Sequence, residues 1–214
     1  MRCNRKGVIF DRDGVIVSTD GLHYLAWKQM ADKEGIYFDE KINNRLRGVS
    51  RMASLEIVLE RAHREYSNEE KEALATHKND IYKELLKSLT PDDILLGVEA
   101  TLKELRARGY KLAIGSSSKN TPAILKYIGL EGFFDAVSDG NNITHSKPDP
   151  EVFIKAAQYL GLDPSECYVV EDAKAGIDAG RAGGFITFAL GDAYGYDKAD
   201  NSIEHFEQIL NIAK

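Results

Sequence analysis

The sequence predicts an α/β fold, a parallel β-sheet covered by helices on both faces and interrupted after its first strand by an all-helical insertion. Three observations predict it. The segment Gly7-Val8-Ile9-Phe10-Asp11-Arg12-Asp13-Gly14-Val15-Ile16 reads as a buried strand that stops abruptly at two aspartates. Residues 17–91 carry helical apolar stripes and nothing that reads as a strand. From residue 92 onward strands and helices alternate, the pattern of a parallel sheet with covered faces.

Taken in order, the first strand cannot bury both of its faces alone, so it belongs with the units after residue 92. In extended chain, Asp11 and Asp13 project to one side, roughly 7 Å apart. One such carboxylate can attack phosphorus while the other manages the proton of a hydroxyl beyond it. A solvated turn is the plain alternative, because Asp-Gly is a common turn dipeptide. A helix over residues 20–34 places His23, Trp27 and Met30 on one face, and residues 51–65 carry Leu55, Val58, Leu59 and Ala62 on a second stripe. Ser67-Asn68-Glu69-Glu70 has the form of a capping box that opens a helix running towards Leu89. Thr90-Pro91-Asp92-Asp93 breaks the pattern. A helix 98–108, a strand 111–115, a helix 120–128 and a short strand 135–138 follow. Asp149-Pro150 reads as an N-cap and first-turn proline for a helix ending at Gly161. A strand at 167–170, a helix 173–182, a strand 185–190 and a closing helix from Ile203 complete the chain. The expected domains are a core of 1–17 with 91–214 and an insertion of 18–90.

The 214 residues are 43% hydrophobic and 29% charged, ordinary for a globular protein. No apolar run is long enough to span a bilayer and the N-terminus lacks a signal core, so a cytoplasmic protein with no membrane association is expected. Cys3 and Cys167 lack metal-ligand spacing and read as plain thiols. A net charge of −6 argues against nucleic-acid binding. Residues 17–91 hold 12 Lys and Arg against 13 Asp and Glu, so the acidic excess lies in the sheet-forming segments. A phosphorylated ligand there needs a cation or a placed lysine.

Ligands of open parallel sheets bind at the carboxyl ends of strands. That rule selects Asp11 and Asp13, Ser116 and Ser117, and Glu171 and Asp172, each group at the end of a different strand. Phosphoryl transfer needs a nucleophile, a metal and fixed donors. Asp11 offers the nucleophile. Asp11, Glu171 and Asp172 offer hard oxygens suited to Mg²⁺. Ser116 with the following amides, and Lys147 in Ser146-Lys147-Pro148-Asp149-Pro150, offer phosphate donors. Singly, each has a plain reading: a polar loop, a surface lysine, a helix cap. Lys78 interrupts the stripe of Leu74, Ile81 and Leu85, either snorkelling over apolar surface or contacting a ligand.

These motifs, Asp11-Arg12-Asp13-Gly14-Val15, the Ser116 strand end, Lys147-Pro148 and Glu171-Asp172, resemble in order and spacing the four motifs of the haloacid dehalogenase superfamily. The resemblance implies a Rossmann-like core with a helical cap. It implies Asp11 as phosphorylated nucleophile, and Asp13 as general acid/base with its carbonyl on Mg²⁺. Ser116, Ser117 and Lys147 become phosphate-stabilising groups, and Glu171 and Asp172 metal ligands. Within the superfamily, Leu46-Arg47-Gly48-Val49-Ser50-Arg51 is similar to the substrate loop of the beta-phosphoglucomutases. His23 with Trp27, Lys78-Asn79-Asp80 and Ser118-Lys119-Asn120 also match that group. Arg51 and His23 together could clamp a non-reacting phosphate. The resemblance implies an Mg²⁺-dependent mutase converting beta-glucose 1-phosphate and glucose 6-phosphate, its substrate a phosphorylated hexose; a monomer is expected, although the sequence does not fix the oligomeric state. A sugar-phosphate phosphatase and a receiver-like phospho-acceptor are the alternatives. The sequence departs from the pattern at Arg12, where relatives are apolar, at Ser18, where many have Asp, and at Ser117, where the mutases have a small apolar residue.

Overall fold

The computed structural model describes residues 5–46 and 50–212. Among them, six strands form one all-parallel sheet in the order β3-β2-β1-β4-β5-β6. The strands are β1 (Gly7–Phe10), β2 (Lys111–Gly115), β3 (Ala136–Ser138), β4 (Cys167–Glu171), β5 (Ile186–Ala189) and β6 (Asn201–Ser202). The chain first builds outward from β1 through β2 to β3, then returns to the other side of β1 with β4. The order therefore reverses between β1 and β4, the place where an open parallel sheet leaves a crevice at its carboxyl edge.

Pleating divides the sheet's side chains between two faces. Ile9, Ala113, Ala136 and Val169 bury against Val152, Phe153, Ala156 and Leu160 of α7 (Glu151–Leu160) and against Ala179 of α8 (Lys174–Ala182). Phe10 points the other way, its ring 5.5 Å from that of Phe206. Each apolar side chain so buried contributes about 1.5–3 kcal/mol, which is why β1 is apolar on both faces. The remaining helices of this part are α5 (Val98–Ala107), α6 (Thr121–Tyr127) and α9 (Ile209–Ile212).

By internal contacts the chain divides into two compact units, Met1–Ser18 with Thr90–Lys214, and Thr19–Leu89. The second unit is entirely helical among the described residues: α1 (Asp20–Lys33), α2 (Glu40–Asn44), α3 (Arg51–Leu59) and α4 (Asn68–Leu86). Trp27, Met30, Ile36, Phe38, Leu55 and Val58 form its core. The capping box at Ser67 is present, with Ser67 Oγ accepting from Glu70 N at 3.2 Å and Glu70 Oε2 accepting from Ser67 N at 2.8 Å.

Several boundaries differ from expectation. The helix expected over 51–65 stops at Leu59, and Ala62 packs from the turn beyond it. The N-cap of α7 is Pro150, with Asp149 Oδ1 accepting the amide of Glu151 from one position earlier. The last sheet strand expected, 185–190, is Ile186–Ala189, and the closing helix begins at Ile209, preceded by a 3₁₀ turn over Phe206–Gln208. Cys167 is buried with its thiol pushed up to about 12 by desolvation and the nearby Glu166, while Cys3 lies outside the described residues. Among the described residues, no helix is long and apolar enough to cross a membrane.

Candidate active site

Register brings the candidate groups level. Phe10 pairs with Ile114 on one side and with Val170 on the other, so Asp11, Gly115 and Glu171 end three adjacent strands at the same height. Asp11 N still donates to Val170 O at 2.9 Å, continuing the ladder by one residue. The chain then bends at Arg12, whose carbonyl accepts from Ile16 N and Val17 N, while Asp13 forms a bridge with Val17. Asp13 is thus carried by a tight turn, and the straight extension expected beyond Asp11 is not the geometry found. Gly14 makes that turn possible. Its φ is +71°, and a Cβ there would stand 2.0 Å from Asp172 Oδ2.

Lys147 holds the centre. Its Nζ donates to Asp11 Oδ1 at 2.6 Å and to Glu171 Oε1 at 2.5 Å, and lies 4.5 Å from the centre of the Phe153 ring. The other oxygen of Glu171 accepts from Ala173 N at 2.8 Å. A Cβ at Gly176 would overlap the Glu171 carboxyl at 2.0 Å, so only glycine allows α8 to pass so close. Burial alone would neutralise Lys147, but the charges and hydrogen bonds of Asp11 and Glu171 outweigh it and raise its pKa. Burial raises Glu171 despite Lys147, and pushes Asp172 up to about 8, with Glu171, Asp11 and Asp13 adding to the effect. Lys147 and Arg12 supply two positive charges against the four carboxylates of Asp11, Asp13, Glu171 and Asp172. The donor set is hard oxygen, the imbalance is about one divalent cation, and Mg²⁺ fits both.

Ser116 is buried at the end of β2, and its Oγ accepts from Ser118 N at 3.4 Å. Ser118 Oγ in turn accepts from Asn120 N at 3.2 Å, winding the loop into α6. Ser117 Oγ is buried without a hydrogen-bond partner. Lys119 is exposed, its carbonyl accepting from Asn141 Nδ2 at 2.9 Å. Arg12, 1% exposed, pairs with Asp13 across 3.3 Å. The loop that presents Lys147 is stapled by Glu151, a residue not anticipated from sequence. Glu151 Oε2 accepts from Thr144 N at 2.8 Å and His145 N at 2.7 Å, and Lys155 pairs with Oε1 at 2.7 Å. Lys155 first, then those amides, hold the Glu151 carboxyl down at about 2. The only available signal was an acidic residue in the first turn after Pro150.

In the helical unit, Lys78 Nζ and His23 Nδ1 are 2.8 Å apart, and Lys78 lies 4.7 Å from the Trp27 ring centre and 4.8 Å from that of Tyr82. His23 stacks on Tyr82 at 4.0 Å. Tyr82, one turn beyond Lys78, was not anticipated, and its hydroxyl donates to Thr19 Oγ1 at 2.9 Å. Ser50 caps α3, its Oγ accepting from Ala53 N at 3.3 Å, and Arg51 opens that helix. Arg47, Gly48 and Val49 lie outside the described residues.

A sheet that reverses order beside two aspartates, answered by a lysine and a further acidic pair, offers the kinds of group that phosphoryl transfer needs. The chain belongs to the haloacid dehalogenase-like hydrolase family, whose model matches residues 5–184. It is 41% identical over 188 residues to the beta-phosphoglucomutase of Bacillus subtilis, covering 87% of this chain and 83% of that one. It is 34% identical over 181 residues to the fructose-1-phosphate phosphatase YqaB of Escherichia coli, covering 83% and 92%. The crystal structure of beta-phosphoglucomutase from Clostridium difficile superposes with a TM-score of 0.86 at 36% identity, covering 96% and 93%.

Proposed function

We propose that this enzyme of the haloacid dehalogenase family is a phosphomutase that interconverts beta-D-glucose 1-phosphate and glucose 6-phosphate in the cytoplasm. The observation that carries the reading is Lys147 bridging Asp11 and Glu171 in a chain 41% identical to a beta-phosphoglucomutase.

Asp11 is the nucleophile. Lys147 holds its carboxylate in place and offsets the repulsion an incoming phosphate meets. In the forward direction phosphorylated Asp11 loses its phosphoryl group to the sugar 6-hydroxyl. The P–Oδ bond breaks, the new P–O bond forms, and the hydroxyl proton passes to Asp13. The bisphosphate then turns round. Asp11 attacks the phosphorus on O1, that P–O1 bond breaks, and Asp13 returns the proton to the departing oxygen. Ser116, Ser117 and the amides after them donate to the phosphoryl oxygens. Asp11, Asp172 and the Asp13 carbonyl, with Glu171 behind them, would hold Mg²⁺, which supplies charge neutralisation at the phosphoryl oxygens. His23, Trp27, Arg47, Gly48, Val49, Ser50, Arg51 and Lys78 supply the helical unit's sugar-phosphate contacts, and Ser118, Lys119 and Asn120 those of the α6 loop.

A second reading, a sugar-phosphate phosphatase in which water attacks the same aspartyl-phosphate, is favoured by the 34% identity to fructose-1-phosphate phosphatase YqaB and by the departure at Arg12. One assay separates the two. The enzyme is given beta-glucose 1-phosphate, Mg²⁺ and a trace of glucose 1,6-bisphosphate, and glucose 6-phosphate and free phosphate are measured separately. Glucose 6-phosphate in large excess supports the mutase. Free phosphate in stoichiometric yield overturns it.

A further inference from the structure

Lys78 is 3% exposed, and among the described residues no carboxylate pairs with it or with Arg51. An unpaired buried ammonium is costly, and proteins normally supply a counter-ion. Here the surroundings are different in kind. His23 faces Lys78 from α1, Arg51 from the start of α3, and Tyr82 from its own helix α4, with Trp27 on the flank. Both neighbouring basic groups, His23 and Arg51, come from other helices, and the aromatic rings of Trp27 and Tyr82 offer only their faces.

The hydrogen bond between Lys78 and His23 limits the charge they can carry. An ammonium and an imidazolium are both donors only, so the 2.8 Å contact requires an acceptor on one side. The pair therefore holds at most one positive charge in this arrangement. We propose that Lys78 and His23 are a proton-accepting pair, charged to completion by the dianionic phosphate of the bound sugar, so that ligand binding takes up a proton. The inference rests on the proposed function, because it needs a phosphorylated ligand at the helical unit. Desolvation first, and Arg51 second, bring Lys78 from its ordinary value to about 7, which leaves it mostly neutral in slightly alkaline solution. An added dianion reverses that balance.

The test uses calorimetric titration of glucose 6-phosphate into the full chain carrying Asp11→Asn, which blocks either chemistry. Repeating it at pH 7.5 in buffers of different ionisation enthalpy gives the protons taken up per ligand. With Lys78 at about 7, about 0.8 proton is expected. Adding Lys78→Arg should keep affinity within about tenfold and abolish the uptake, because arginine is always charged. Adding Lys78→Met should abolish the uptake and weaken binding more than about tenfold. A residue that only packs the core would change affinity and leave the proton count alone. Binding with no uptake in the parent, or with the same uptake in either variant, overturns the proton-accepting pair and leaves the mutase reading standing. Absence of glucose 6-phosphate binding in the parent overturns both.

Discussion

Replacing Lys78 by methionine should stabilise the helical unit, by an amount that depends on pH in a direction the structure dictates. Methionine fills much the same space without the charge. The unfolded chain restores Lys78 to about 10.5, against about 7 in the fold. Between those values the unfolded chain binds more protons, so wild-type stability rises with pH through that window. At pH 7 the burden of Lys78 is about 4 kcal/mol, and at pH 9 about 2 kcal/mol. Losing the ring contacts and the hydrogen bond to His23 takes back about 1 kcal/mol. Lys78→Met should therefore be more stable by about 3 kcal/mol at pH 7 and by about 1 kcal/mol at pH 9. Urea unfolding read by tryptophan fluorescence measures this in the right place, because Trp27 is the chain's one tryptophan and sits 4.7 Å from Lys78 Nζ. A pH-independent difference between pH 6 and 10, or a wild type more stable at pH 7, would refute the reasoning.

Four further outcomes are expected. Asp11→Asn should lower glucose 6-phosphate formation more than about 1,000-fold with unchanged circular dichroism, and a near-normal rate removes Asp11 as nucleophile. Lys147→Ala should slow turnover at least about 100-fold and, without metal, destabilise the fold by about 3 kcal/mol, because Asp11 and Glu171 lose their shared cation. Denaturant midpoints and initial rates check both parts. Exhaustive chelation should abolish activity and Mg²⁺ should restore it, while raising the melting temperature without substrate; turnover surviving chelation contradicts the metal assignment. Arg51→Ala should reduce mutase flux at least about tenfold while phosphoenzyme hydrolysis holds or rises. Unchanged glucose 6-phosphate formation in that variant would favour the phosphatase reading.

The parts legible in the sequence were those where one physical signal dominates. β1 is apolar on both faces and ends in charge, and the βα units are punctuated by glycines and caps. α2 went unread because five residues hold too little periodicity, although Asp39 caps it, accepting from Ile42 N at 2.9 Å. β6 has no apolar pattern at all. It lies beside an anchor formed by Asp200, whose carboxylate accepts from the amide and hydroxyl of Thr187. The closing helix was placed too early because Ile203, Phe206 and Ile209 are all buried, a three-residue spacing that suits a 3₁₀ turn as well as an α-helix. Lys78 was read as an intruder between Leu74, Ile81 and Leu85, whereas the buried line is Ala75, Lys78, Tyr82 and Leu86. A charged residue at a core position is invisible to hydrophobic patterning. At the site, residue types and order were readable; the Glu151 staple, which depends on a loop folding back on its own helix, was not.

The connection to the helical insertion also bears on how such a chain can change. Val17 and Ile94 form an antiparallel bridge, and Leu95 N donates to Ile16 O at 2.9 Å, all within the sheet-containing unit. The two points where about 70 residues leave and re-enter are therefore clasped together by the core itself. Each doubling of an inserted loop then adds only about 0.6 kcal/mol of closure entropy. The excursion is a cassette on a closed clasp: it can be lengthened, exchanged or redesigned for another ligand without relaying the strands that hold Asp11.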